Sequence, residues 1–152
     1  MIELLTTNHF ERILDLFDGA HHEIKIASPF LTMSMAEKLC NVVKEKGMQC
    51  TFITRLYIED MLAKANSIDA LAHLLNNDIK VLLVKKLHTK LYLFDDEQAI
   101  LGSANFTNGG FKSNIELSLL LSEESVVKEL QTYFDKMAVQ IEGAEGGLLT
   151  EN

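Results

Sequence analysis

The chain has 152 residues, 47% of them hydrophobic, which suits one globular domain with a substantial core. Its net charge of −8 argues against simple electrostatic adhesion to DNA or to an anionic membrane. No apolar stretch reaches the length of a membrane span, and the start, MIELLTTNHF, lacks the basic and apolar regions of a signal peptide, so a cytoplasmic protein is expected.

The first elements alternate. Asn8 is placed to cap a helix carrying Phe10, Ile13, Leu14 and Phe17, with Gly19 as its stop. Ile24 to Ala27 reads as a short strand ended by Ser28 and Pro29. Thr32 or Ser34 caps a second helix through Met35, Leu39, Val42 and Val43, stopped by Gly47. Cys50 to Thr54 is the next strand. This β-α-β order predicts a parallel sheet with helices on its faces. Cys40 and Cys50 have neither metal nor redox spacing and read as buried, reduced thiols.

Tyr57 to Asn76 reads as helical in two pieces, with Ser67 capping the second and Ile68, Leu71, Leu74 and Leu75 as its stripe. Ile79 to Val84 is a continuous apolar run, expected of a strand buried on both faces. Glu123 to Ile141 is a last amphipathic helix with Val126, Val127, Leu130, Phe134, Met137 and Ile141 inward. These elements make a domain of residues 1–142; residues 143–152, opening on Gly143-Ala144-Glu145-Gly146-Gly147, read as a flexible tail or linker. The acidity is uneven. Residues 113–152 carry Lys128 and Lys136 against eight acids, while Lys80, Lys85, Lys86, Lys90 and Lys112 cluster in the segment before them.

Chemistry concentrates between His88 and Glu116, HTKLYLFDDEQAILGSANFTNGGFKSNIE. Leu91 to Phe94 reads as a strand, and side chains on a strand alternate faces. His88 and Lys90 share parity, so an imidazole and an ammonium point the same way. Asp95 has the opposite parity and faces away, which assigns it a structural role at the turn Asp95-Asp96-Glu97. Gln98 to Gly102 returns as the second strand of a hairpin, with Ser103 and Asn105 just past its end. Glu116 opens a third strand, Ile115 to Leu121, and Phe106 to Ser113 is a glycine-containing loop beside the site. A neutral imidazole is a nucleophile or base near neutral pH, a lysine supplies fixed positive charge, and serine and asparagine supply neutral donors. A carboxylate can hold the far ring nitrogen of a histidine. Together these groups suit attack at phosphorus, where charge grows on the non-bridging oxygens.

HTKLYLFD matches the HxKxxxxD signature of the phospholipase D superfamily, and GSAN with a downstream glutamate matches its companion motif. The chain therefore resembles that superfamily from about Glu23 to Ser122, and looks most like its single-motif, nuclease-type branch. The resemblance implies an α/β fold: a mixed, largely parallel sheet with helices on both faces. It implies a metal-independent phosphodiesterase, above all a nuclease, with no cofactor. By the same resemblance His88 attacks phosphorus to form a phosphohistidine, Lys90, Ser103 and Asn105 bind phosphate oxygens, Glu116 orients His88, and Asp95 completes the signature. With no second HxK motif, it also implies a homodimer with the active site on its twofold axis. Single-motif restriction enzymes carry a DNA-recognition domain after this one, which makes such a domain in a longer parent chain an open expectation. Arg55 and Ser28, at strand ends, are candidates to line a substrate groove, beside the alternative of ordinary loop roles. His21 and His22 read as exposed loop residues rather than metal ligands, and His9 and His73 receive no role. Two rival readings remain: a phospholipid-acting hydrolase, and a non-catalytic binding or dimerisation module of a larger DNA-processing protein.

Overall fold

The computed structural model describes residues 1–55, 68–142 and 148–149. Four helices, α1 (His9–Gly19), α2 (Met33–Lys46), α3 (Ile68–Asn76) and α4 (Glu124–Glu142), are described around one sheet. Its strands are β1 (Ile2–Leu5), β2 (Glu23–Ala27), β3 (Gln49–Thr54), β4 (Lys80–Leu83), β5 (Leu91–Phe94), β6 (Gln98–Gly102), β7 (Ser118–Leu121) and β8 (Leu148–Leu149). Their order across the sheet is β1-β7-β6-β5-β2-β3-β4-β8.

The sheet is mixed, with helices on both faces, but it is not largely parallel. Among the described strands only β2–β3 and β3–β4 pair in parallel; every other neighbouring pair is antiparallel. The β-α-β rule holds for the first half, where a helix returns the chain to the same end of the sheet. The second half instead advances through hairpins: β5 turns directly into β6, β7 runs back along β6, and β5 joins β2 antiparallel.

Local signals set the helix ends. Thr32, extended, precedes α2, and Gly47 ends it at φ 63, its N–H reaching the carbonyls of Val43 and Lys44. The Lys46 ammonium then donates to the carbonyls of Phe17, Asp18 and Ala20 at the C-terminal end of α1, where the helix dipole favours a cation.

Alternation along the central strands divides the core. Tyr92 and Phe94 face α1 to α3, with Ile24, Ile26, Phe52, Ile100 and Leu120. Leu91 and Leu93 face α4, with Ile53, Leu82, Val127 and Phe134. All four residues of β5 are buried, so the strand that carries the motif runs through the middle of the core. Cys40 and Cys50 are buried free thiols; burial and the Glu37 carboxylate push Cys40 up to about 11.

Several boundaries move. β7 begins at Ser118, not Ile115, because its ladder with β6 ends at Gly102. Ile115 is consequently fully exposed and Leu117 58% exposed. Val126 and Ile68 also face outward, on the solvent sides of α4 and α3. Within the expected tail, Leu148–Leu149 pairs antiparallel with β4. The expected helical segment from Tyr57 through the Ser67 cap, the Gly143 to Gly147 linker and the inward side chain of Ile141 lie outside the described residues.

Candidate active site

Strand register gathers the chemistry at one end of the sheet. Ala27 pairs with Leu91, Leu91 with Leu101, and Gly102 with Ser118. One step beyond Leu91–Leu101, Lys90 falls opposite Gly102, with His88 two residues out and Glu116 two residues before Ser118. Gly102 lets β7 pack close against the middle of this row: a Cβ there would overlap the Leu117 carbonyl and the Ser118 hydroxyl.

The parity argument for His88 and Lys90 holds. The Lys90 ammonium lies 3.0 Å from Nδ1 of His88. An ammonium only donates, so Nδ1 is the acceptor in this arrangement. His88 is exposed, while Lys90 is half-buried. Burial lowers the Lys90 pKa first and the Arg55 charge second, against an upward pull from Glu116. Glu116 itself accepts a 2.6 Å hydrogen bond from the Ser103 hydroxyl, which in turn accepts from the Leu117 N–H at 3.0 Å. Within one chain Glu116 is thus bonded to Ser103 and not to His88. Asn105 has its side-chain oxygen buried without a hydrogen-bond partner. Its backbone is held close by Gly110, where any Cβ would overlap the Asn105 carbonyl. A buried unpaired polar atom costs about 1–3 kcal/mol, and this one is an acceptor, which only a donor could satisfy.

Asp95 sits just past the opposite end of β5 from His88 and Lys90. Its carboxylate accepts from the backbone N–H groups of His21 at 3.0 Å, His22 at 2.8 Å and Glu23 at 2.9 Å. Its own backbone is left-handed, with φ 54. Burial pushes the Asp95 carboxyl up, but the three N–H donors and the His22 charge outweigh it and hold the pKa below the usual range. Asp95→Asn keeps a residue that tolerates this φ but loses the charge and one acceptor oxygen. The variant is expected to lose about 2 kcal/mol, the range of a hydrogen bond to a charged group, and several degrees of Tm. A carboxyl depressed on folding stabilises fully above its unfolded pKa, about 3.9, and loses that contribution as pH falls through the lower folded value. The gap in Tm between wild type and Asp95→Asn should therefore close below about pH 4, with turnover at neutral pH largely kept. An Asp95→Asn protein as stable as wild type yet as inactive as His88→Ala would contradict this role.

Ser28 does not line a groove. It is fully buried, donating to the Phe30 carbonyl at 2.7 Å and accepting from the Phe106 N–H at 2.9 Å, so it fastens the β2 end to the Phe106 segment. Arg55 is placed near Lys90: its guanidinium lies 4.7 Å from the Phe30 ring centre and donates to the Leu87 carbonyl at 3.4 Å. The Phe106 to Ser113 loop turns inward as well. Phe106 and Phe111 pack in the core against Tyr92, and Gly109–Ser113 is a π-helical turn.

One residue without an assigned role belongs beside the site. His9 is 2% exposed, edge-on to Phe111, with Nε2 2.9 Å from the Ser118 hydroxyl. Burial lowers its pKa, against the opposing charge of Glu116. It floors a cavity of about 650 Å³ shared with Ser103, Glu116, Lys112 and Asn114. Only the pairing of β1 with β7 brings it there, and no local pattern around His9 carries that signal. His21 and His22 are exposed, and among the described residues no cluster of three or more His, Cys, Asp or Glu could hold a metal ion.

The family model described as "Cardiolipin synthase, PLD-like domain" matches residues 13–138. The chain belongs to the phospholipase D superfamily. Among curated relatives of this PLD-like domain, cardiolipin synthase A of Buchnera aphidicola is 25% identical over 124 residues, covering 79% of this chain. The chain spans about a quarter (25%) of the length of that relative. Among solved structures, the phospholipase D family member Nuc of Salmonella typhimurium superposes with a TM-score of 0.77 at 18% identity, over 99% of this chain and 100% of that one. NucT of Helicobacter pylori superposes with a TM-score of 0.74 at 20% identity, over 99% of each chain. These two likenesses establish the PLD-like fold. Among the described residues, no helix is long and apolar enough to cross a membrane.

Proposed function

We propose that this PLD-like domain is a metal-independent phosphodiesterase that cleaves nucleic acid in a site shared by two copies of the chain. The observation that carries the reading is the His88–Lys90 pair, 3.0 Å apart, on the same sheet end as Ser103, Asn105 and Glu116. A phosphate entering there competes for the Lys90 ammonium. As Lys90 turns to a phosphate oxygen, Nδ1 of His88 is released to carry the ring proton and Nε2 becomes the nucleophile. The N–P bond forms as the bond to the leaving oxygen breaks, and that oxygen takes a proton from His88 of the partner subunit. The same imidazole then accepts a proton from water as its oxygen displaces the ring nitrogen from phosphorus. Lys90 and the Asn105 amide N–H donate to the non-bridging oxygens, and the Ser103 hydroxyl, which otherwise donates to Glu116, turns to the phosphate to join them.

Nucleic acid is favoured because the motif resembles the nuclease-type branch, and Nuc and NucT superpose over 100% and 99% of their chains. A phosphodiester lipid is the second reading, favoured by the cardiolipin synthase relatives. Parallel turnover of DNA, RNA and phospholipid vesicles separates the two. A non-catalytic module is the third, and absence of cleavage of any activated diester would select it.

The test of the chemistry is hydrolysis of bis-p-nitrophenyl phosphate in excess EDTA. The site offers Lys90 and Asn105 where a metal-dependent enzyme would place carboxylates, so turnover is expected to persist. Activity lost to EDTA and restored by Mg²⁺ would sink the proposal.

A further inference from the structure

The loop between β4 and β5 carries two lysines that the chemistry above does not use. Lys85 and Lys86 are exposed, immediately before Leu87 and His88. Among the described residues neither makes a hydrogen bond or an ion pair. Other lysines are engaged: Lys25 with Asp135 at 2.8 Å, Lys46 with the end of α1, and Lys38 and Lys112 over the Phe10 ring.

The loop is held from three directions. Leu87 is 4% exposed and packs into the core under α4. Arg55 grips the Leu87 carbonyl from the end of β3. The Thr89 hydroxyl meets the Tyr133 hydroxyl of α4 at 2.8 Å. Two unpaired ammonium groups are thus carried on a fixed stretch of backbone beside the nucleophile, in a protein whose net charge of −8 repels polyanions.

We propose that Lys85 and Lys86, continued by Arg55, form a cationic arm that grips the phosphates flanking the scissile one on an extended nucleic acid. This inference rests on the nuclease reading and extends it from the single diester to the polyanion. Lys86 lies within roughly 7 Å of His88 along the chain. A nucleic-acid strand presents a phosphate for about every 3.4 Å of helix axis, so the reach covers the next one or two phosphates. A membrane surface would also attract lysines, but of the apolar residues flanking this pair Leu87 is buried in the core and Val84 packs against it. The arm offers no side chain to insert among lipids.

The experiment compares wild type with Lys85→Gln/Lys86→Gln, using bis-p-nitrophenyl phosphate, a short DNA oligonucleotide and phosphatidylglycerol vesicles. Hydrolysis of the small diester should stay within about twofold of wild type, because neither lysine is placed among the groups that bind the reacting phosphate. The oligonucleotide KM should rise about tenfold or more near 0.1 M salt, with kcat unchanged. The slope of log KM against log salt should fall by about 1 per lysine removed. Lys85→Arg/Lys86→Arg should restore both. Normal diester hydrolysis with an unchanged oligonucleotide KM and salt slope would overturn the proposal. So would loss of vesicle binding with oligonucleotide KM intact, which would assign the arm to a membrane. If wild type cleaves no diester, the nuclease reading fails by itself. Oligonucleotide anisotropy then still decides the arm: weaker binding by the Gln variant supports it, and equal binding overturns it.

Discussion

His88→Ala is expected to leave no measurable turnover of any phosphodiester, with the melting temperature unchanged. The loss is complete because no other imidazole stands in for it. His9 is buried and bonded to Ser118, His21 and His22 lie by Asp95 at the far end of β5, and His73 is on α3. The fold is spared because His88 is exposed and its one hydrogen bond among the described residues is to Lys90. Lys90→Ala gives the calibrating comparison. Removing one charge-stabilising donor costs about 10²–10³ in rate, so that variant should be crippled but measurable. Initial rates on bis-p-nitrophenyl phosphate, with thermal unfolding alongside, check both. Turnover in His88→Ala equal to that of Lys90→Ala would remove His88 as the nucleophile.

Turnover is also expected to vanish when the protein is diluted to a monomer. The proposed mechanism needs one imidazole as nucleophile and a second as acid and base, and a single chain supplies only His88. On this proposal a twofold axis through the site would bring the second copy, with a second Lys90, Asn105 and Glu116 around one phosphate. The two imidazoles would titrate as a coupled pair, one neutral and one protonated. The apolar side chains bracketing Glu116 are open to such a partner: Ile115 is fully exposed and Leu117 58% exposed. The Phe106 to Ser113 loop beside the site is anchored in the core by Phe106 and Phe111. Denaturing quench at alkaline pH, where the N–P bond survives, during turnover of a radiolabelled substrate should trap one phosphohistidine per two chains. Sedimentation of a monomer at full specific activity, or one covalent phosphate per chain, would overturn the shared site.

What the sequence by itself determined is what lies within a few bonds. His88 and Lys90 face the same way because side chains two apart on an extended backbone share a face, whereas Asp95 lies past the other end of β5 in a left-handed turn. The hairpin of β5 and β6, the helix stop at Gly47 and the motif spacing are local for the same reason. Direction and partnership were not legible, because they depend on which distant strand docks beside which. The antiparallel joining of β5 to β2 made the sheet less parallel than its first half promised. The pairing of β1 with β7 carried His9 to Ser118 across 109 residues of chain. Ser28, a plausible groove residue by position, was drawn inside when its hydroxyl found the Phe106 N–H. Glu116 met Ser103 rather than His88 because the β7 ladder closes at Gly102 and leaves the residues before Ser118 to turn along the rim. Such contacts join segments whose separation in sequence carries no periodic signal, so only the packed tertiary structure decides them.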